Sequence, residues 1–246
     1  SLIAAYVGQG SGGTGTAQTP TSTGSVLTGS YSGESAGTYA VAGLYKNDAI
    51  AVNVWAYELA SLANAIWIDA AMKVGPAHVK AYAAQMMPKG TAATMDDTTG
   101  LALSAGMDVS GIKLFAAVSN VSDTNVAGGT AANGIAVGNT ATNYKKTKLP
   151  TAGVYTDGLY VAQADSTAVK VKASGKLGST GLALQVIDNS NDRTKTLETT
   201  EIDLILSQKV GDFNLKAILM DRSFDLDSED SRTGGQHVRI IASVNF

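Results

Sequence analysis

The sequence predicts an all-β fold, a transmembrane antiparallel up-and-down β-barrel, and three observations carry that prediction. Apolar and polar residues alternate with period two in segments of roughly ten residues along most of the chain. The connections between those segments alternate strictly between short and long. The chain then closes on GQHVRIIASVNF, in which Val238, Ile240, Ala242, Val244 and Phe246 share one face and His237, Arg239, Ser243 and Asn245 the other.

In order, the alternating segments are 2–8, 37–46, 50–58, 65–74, 77–87, 99–109, 111–120, 166–177, 180–188, 198–209, 212–221 and 236–246. The short joins are Lys46-Asn47-Asp48, Gly75-Pro76, Ser110-Gly111, Gly178-Ser179 and Val210-Gly211, all with turn-forming chemistry. The other connections are 8–36, a brief 59–64, then 88–98, 121–165, 189–197 and 222–235. A meander with tight periplasmic turns and long extracellular loops has this rhythm, and an even number of strands leaves both ends on the periplasmic side. A soluble sandwich shows the same patterning strand by strand, but has no reason to keep its tight turns at one end. The aromatic ending marks the last strand, Val238, Ile240, Ala242, Val244 and Phe246, as a signal of the kind read by the bacterial barrel-assembly machinery.

Facing supports the same fold. In AIWIDAAMKV the residues Ile66, Ile68, Ala70, Met72 and Val74 oppose Trp67, Asp69 and Lys73. In TAVKVKASGKL, Val169, Val171, Ala173 and Leu177 oppose Lys170, Lys172, Ser174 and Lys176. In TTEIDLILSQKV, Ile202, Leu204, Leu206 and Val210 oppose Glu201, Asp203, Ser207 and Lys209. Ala81, Ala83, Ala105 and Ala116 dilute the first face, so the apolar band is a weak one. Charges on the second face are expected to line a wet lumen: Asp69, Lys73, Lys80, Asp108, Lys113, Lys170, Lys172, Lys176, Glu201, Asp203, Lys209, Lys216 and Arg239. Basic residues outnumber acidic ones in that set, which taken alone attracts anions.

Composition narrows the alternatives. Having no Cys excludes a disulfide framework and thiolate metal sites. A net charge of −3 with dispersed basic residues gives no footprint for nucleic acid. Gly 27 against Pro 4 indicates many turns and no proline-rich linker. The best candidate for a spanning helix, LASLANAIWI, stops at Asp69 and is too short, so any membrane role falls to strands. Ser1 opens directly into SLIAAYV without an initiator Met or basic leader, which predicts a processed chain or a piece of a longer one.

The stretch YAVAGLYKNDAIAVNVWAYELASLANAIWIDAAMKVGPAHVKAYAAQ resembles the middle of the major outer membrane porins of Campylobacter and related epsilonproteobacteria. LALSAGMDVSGIKLFAAVS is similar to the hairpin that follows there. The hairpins at 166–188 and 198–221 and the terminal strand fall in the same order. The resemblance implies an 18-stranded general diffusion porin of the outer membrane, usually trimeric, set among lipid and lipopolysaccharide, passing ions and small hydrophilic solutes without cofactor or catalytic residue. About twelve strands are present, so residues 1–246 are expected to be one barrel domain whose N-terminal strands are missing. Constriction carboxylates of cation-selective members lie partly on that missing portion, which leaves selectivity unassigned. Some members hold a metal ion with loop carboxylates; Glu34 and Asp123 are the nearest acidic loop residues here, and the match does not carry the site across.

Other features have plainer readings. The Gly-, Ser- and Thr-rich loop from Gly8 to Ala36 is a candidate constriction, although so polar a segment favours an external loop. His78 and His237 lack a Ser and carboxylate at triad spacing and read as polar lumen or interface residues. DLDSED at 225–230 lacks the Gly and the terminal Glu of a calcium loop, so no metal site is expected there. KKTK at 145–148 reads as a solvated turn, with lipopolysaccharide contact as the sharper use. GQGSGG at 8–13 precedes no helix and makes no phosphate cradle. Two other classes stay open: a surface-exposed β-sandwich adhesin, and a 12-stranded outer-membrane enzyme, which would need paired Ser and His on the outer rim.

Overall fold

The computed structural model of the chain describes residues 1–7, 38–59, 63–89, 96–122, 147–154, 160–192, 198–224 and 234–244. Twelve strands form: β1 (Leu2–Val7), β2 (Thr38–Lys46), β3 (Ile50–Leu59), β4 (Ala63–Val74), β5 (Ala77–Pro88), β6 (Thr98–Val109), β7 (Ile112–Val121), β8 (Ser166–Leu177), β9 (Thr180–Asn191), β10 (Thr199–Val210), β11 (Phe213–Phe224) and β12 (Gly235–Val244). They make one sheet in sequence order with every neighbouring pair antiparallel. All twelve expected strands are present. The expected bounds fall short mainly at the long-loop ends of β9 and β11, which continue through Asn191 and Phe224, where polar residues break the alternation.

The tight turns have the geometry their residues require. Ser110 and Gly111 both take positive φ (53° and 85°), the primed form that follows the twist of the flanking strands, and Asp108 Oδ1 accepts the Gly111 N–H at 2.9 Å. Gly75, Gly178 and Gly211 each take positive φ near 60° as the first residue of a two-residue turn. The last of these turns is therefore Gly211-Asp212, one residue later than expected, because Val210 still pairs with Phe213. At the first turn, Asn47 Oδ1 accepts the N–H groups of Ala49 and Ile50 at 2.9 and 2.7 Å.

Register shows that the sheet is sheared as a barrel wall is. A single row of directly opposed residues begins at Lys46, the last residue of β2, and passes through Lys80 and Lys170. It runs on through Glu201 to Arg222, nine residues beyond the start of β11, and ends at Gly235 of β12. Over the nine steps from β2 to β11 the row thus climbs about one residue per strand relative to the tight turns. With about 3.3 Å per residue and 4.8 Å between strands, that slope is a tilt of roughly 35°.

The two faces differ throughout. Among the described residues, every large apolar side chain that is exposed lies on one face, apart from Ile3 on β1 and Ile241 on β12. In β10 that face runs from Ile202 to Val210, which at the tilt above is a band roughly 22 Å tall. The opposite face carries the buried residues, including Trp67, Met86, Val121, Ile187 and Ile218. Among the described residues β1 and β12 each pair on one side only.

Replacing Gly111 by Val forces a β-branched side chain into the left-handed region and should lower stability by about 1–2 kcal/mol. Asp212→Val, at a turn position of negative φ, should leave it nearly unchanged. Urea unfolding midpoints of the two variants check this.

Candidate pore lining and its strap

Cross-strand pairing places all thirteen singled-out charges on the buried face. Lys73 opposes His78, Lys80 opposes Ala71, and Asp108 opposes Lys113. Lys170, Lys172 and Lys176 oppose Ile187, Gln185 and Gly181, which carries the face to Glu201, Asp203 and Ser207 on β10. Lys216 opposes Ser207, Lys209 opposes Asn214, and Arg239 opposes Ile218. Asp69 opposes both Asn53 and Tyr82. Alternation alone accounts for the grouping: a one-residue slip would turn every one of these charges to the apolar side. Val238, Ile240, Ala242 and Val244 share the apolar face, and Phe246 lies outside the described residues.

Local partners differ along the face. Asp69 is buried, receives Asn53 Nδ2 at 2.9 Å and pairs with Lys80 Nζ at 2.7 Å, while Lys80 also stands 4.8 Å from the Tyr82 ring. Glu201 and Asp203 are fully buried, and Gln185 Nε2 donates to Asp203 Oδ2 at 2.6 Å. Toward the tight turns Lys113, Lys176 and Lys209 are exposed. The alternation also puts Arg222 on this face, opposite Glu201 and 4.7 Å from the Phe224 ring; its place at the polar end of β11 hid it.

What buries the carboxylates is the connection between β7 and β8. Its residues 147–154 cross the charged face instead of forming an external loop. Lys148 reaches Tyr57 Oη of β3 at 2.8 Å, and Leu149 packs among Ala63, Ala65, Trp67, Ala84, Met86 and Val121. Thr151 Oγ1 and Ser119 Oγ of β7 share a hydrogen bond of 2.6 Å. Lys170 Nζ of β8 donates to Ala152 O at 2.7 Å, and Val154 N donates to Asp203 Oδ2 of β10 at 3.2 Å. Six peptide steps from Lys148 to Val154 reach at most about 21 Å. The wall from β3 to β10 is about 34 Å along its contour at 4.8 Å per strand, so the strap cuts across as a chord and long side chains close the difference.

Its anchors are both apolar and polar. Leu149, 3% exposed, contributes roughly 1.5–3 kcal/mol by leaving water. At Gly153 the backbone passes so close to Glu201 that a Cβ would collide with the carboxylate. A second stretch, 160–165, fastens the far end: Asn191 Nδ2 donates to Ala164 O at 2.8 Å and Ser166 Oγ to Tyr160 O at 3.0 Å.

The strap corrects two sequence expectations. The connection 121–165 is not wholly an external loop, and Lys148 of the KKTK stretch is held against aromatic rings instead of in a solvated turn. Its signal in the sequence was thin: one Leu and small residues in a polar stretch. The other candidate constriction, 8–36, lies outside the described residues, as do Glu34, Asp123 and the 225–230 acidic run.

No family model matches the chain, and no curated protein matches it. Solved structures do. Pseudomonas aeruginosa OccK10 (OpdN) is similar with a TM-score of 0.63 at 15% identity, over 88% of this chain and 65% of that one. P. aeruginosa OprD gives 0.58 at 12% identity over 85% and 61%, and the P. aeruginosa outer membrane protein OpdK 0.61 at 13% over 89% and 62%. The fold is that of outer-membrane porin barrels, and the chain spans less than two thirds of the length of these three structures.

Gly153→Ala should lift the strap from β10 and speed trypsin cleavage after Lys148 relative to folded wild type. Glu201→Ala in the same molecule removes the colliding carboxylate and should bring the cleavage rate most of the way back to that of wild type. Cleavage rates of wild type, single and double variants decide it.

Proposed function

We propose that this chain forms most of the wall of an outer-membrane general diffusion porin, through which ions and small hydrophilic solutes pass a constriction made by the 147–154 strap. The observation that carries the reading is one sheet whose two faces suit two solvents, with a strap lying across the polar one. The exposed apolar face carries Tyr6 and Tyr39 toward the long loops, ring centroids 4.8 Å apart, and Tyr45 and Phe213 beside the tight turns. Such aromatic rims flank the lipid-facing band of outer-membrane barrels. A sandwich adhesin would cover that apolar face with a second sheet, and the described strands supply none.

The remaining parts follow from the same physics. Unpaired backbone in hydrocarbon costs several kcal/mol per group, so the edges of β1 and β12 that lack a partner among the described residues must be paired in the membrane. The order and spacing of the hairpins favour the Campylobacter-type major porins as its kin, with trimeric assembly among lipid and lipopolysaccharide. Passage is passive and selectivity rests on pore width and lining charge. Nine basic residues against four acidic ones among the thirteen, with several lysines exposed near the tight turns, favour anions at that mouth.

The direct test is planar-bilayer recording of the full-length protein. Stable conductance steps are expected, with a reversal potential under a salt gradient that moves toward cations in the Lys113→Glu, Lys176→Glu, Lys209→Glu triple variant; a silent bilayer would overturn the proposal. Val171→Arg, on the apolar face, should destabilise the protein in lipid by about 2–4 kcal/mol. Ser174→Arg, on the charged face, should cost far less, and urea unfolding from vesicles measures both.

A further inference from the structure

We propose that Trp55, Tyr57 and Trp67 form a binding site for small organic ammonium ions, and that Lys148 of the strap occupies it as a tethered competitor. Trp55 and Trp67 are directly opposed on β3 and β4, and Tyr57 stacks beside Trp55 at 5.8 Å with the rings 9° from parallel. The Lys148 ammonium stands 4.7, 5.4 and 5.7 Å from the ring centroids of Trp55, Tyr57 and Trp67. All three distances fall within the reach of a cation–π contact, and three rings around one ammonium is the arrangement that recognises quaternary and methylated amines.

The site is built of rings and a phenol, not of carboxylates. Among the described residues the lysines in ion pairs are Lys80 and Lys89, and Lys148 has only the Tyr57 hydroxyl and the three ring faces. Lys148 itself is exposed and Trp55 and Tyr57 are half-buried, so the ring faces open to solvent when the lysine swings away. Trp67 is 7% exposed and its indole N–H has no acceptor among the described residues, a buried donor that an oxygen atom of a ligand would satisfy.

Occupant and strap are separable. Leu149, the Thr151 hydroxyl and Ala152 O hold the strap to other parts of the wall, so loss of the Lys148 charge leaves it in place. A tethered group acts at an effective concentration of about millimolar or more. A free cation must outcompete it, and removing the lysine should tighten cation binding by at least about tenfold.

The two tryptophans of the chain are both in the site, so their emission reports binding directly and without reference to conductance. The proposal does not rest on the porin reading, and the two can fail separately. The experiment is titration of the folded full-length protein with choline and with 3,3-dimethyl-1-butanol, its uncharged isostere, while following the emission lost in Trp55→Phe. Wild type should respond weakly to choline; Lys148→Met should saturate at a concentration at least about tenfold lower and respond much less to the alcohol. Tyr57→Ala in the Lys148→Met background removes one of the three rings but leaves Trp55 emitting, and should abolish the response. Equal binding of choline and the alcohol, equal affinity in wild type and Lys148→Met, or retained binding without the Tyr57 ring would each overturn it. Heat-modifiable migration verifies folding, and Lys148→Gln, polar and uncharged, replaces Lys148→Met if that variant does not fold; the same affinities are expected of it.

Discussion

Every strand here draws its backbone partners from its neighbours in sequence, and this ladder is the constraint on which the rest of the structure depends. Because the pairing is antiparallel and continuous from β1 to β12, one register choice propagates through all the strands. Side chains opposed across it keep to one face, which is why a charge on β4 and a charge on β11 stand on the same side though 147 residues separate Asp69 from Lys216. The stagger of about one residue per strand is fixed by the same ladder, and with it the tilt that lets such a sheet curve into a wall.

A wall with one polar face creates a second problem, that of its buried carboxylates, and the strap is the chain's answer to it. Glu201 and Asp203 are both buried, and Asp203 is met by an amide from β9 and a backbone N–H from the strap. In turn the strap has no secondary structure of its own and places its polar groups on side chains of the wall, Ser119 and Lys170 among them. Strap and lining are thus mutually dependent, which ties the proposed constriction to the residues that give it charge. At Gly153 the strap lies against the Glu201 carboxylate, and a Cβ there would collide with it unless that side chain moved.

The strands were legible because alternation is a property of each residue's own polarity, read without knowing its partner. Legibility faded where polarity stopped alternating: Asn189 to Asn191 prolong β9 because Asn191 finds Ala164 O and Ser166 Oγ, partners far away in sequence. The thirteen charges could be grouped by parity alone, but not ranked, since burial of Glu201 and exposure of Lys209 come from the strap. Leu149 and Lys148 gave little sign of their roles, because a single Leu in a polar stretch looks the same whether it dangles or packs. Arg222 was missed for a related reason: it stands where β11 passes beyond the apolar band.

The central claim is that β10 separates two solvents, and because the chain contains no cysteine, single-Cys substitution can read each position in turn. We would insert the full-length protein into lipid vesicles and measure labelling at positions 202 to 210 with a water-soluble, membrane-impermeant thiol reagent. Positions 205, 207 and 209 should react and 202, 204 and 206 should not, whereas a spin label at 202, 204 and 206 should relax with lipid-dissolved oxygen. Uniform reaction along the strand, or reaction of the apolar positions alone, would contradict a wall between lipid and water.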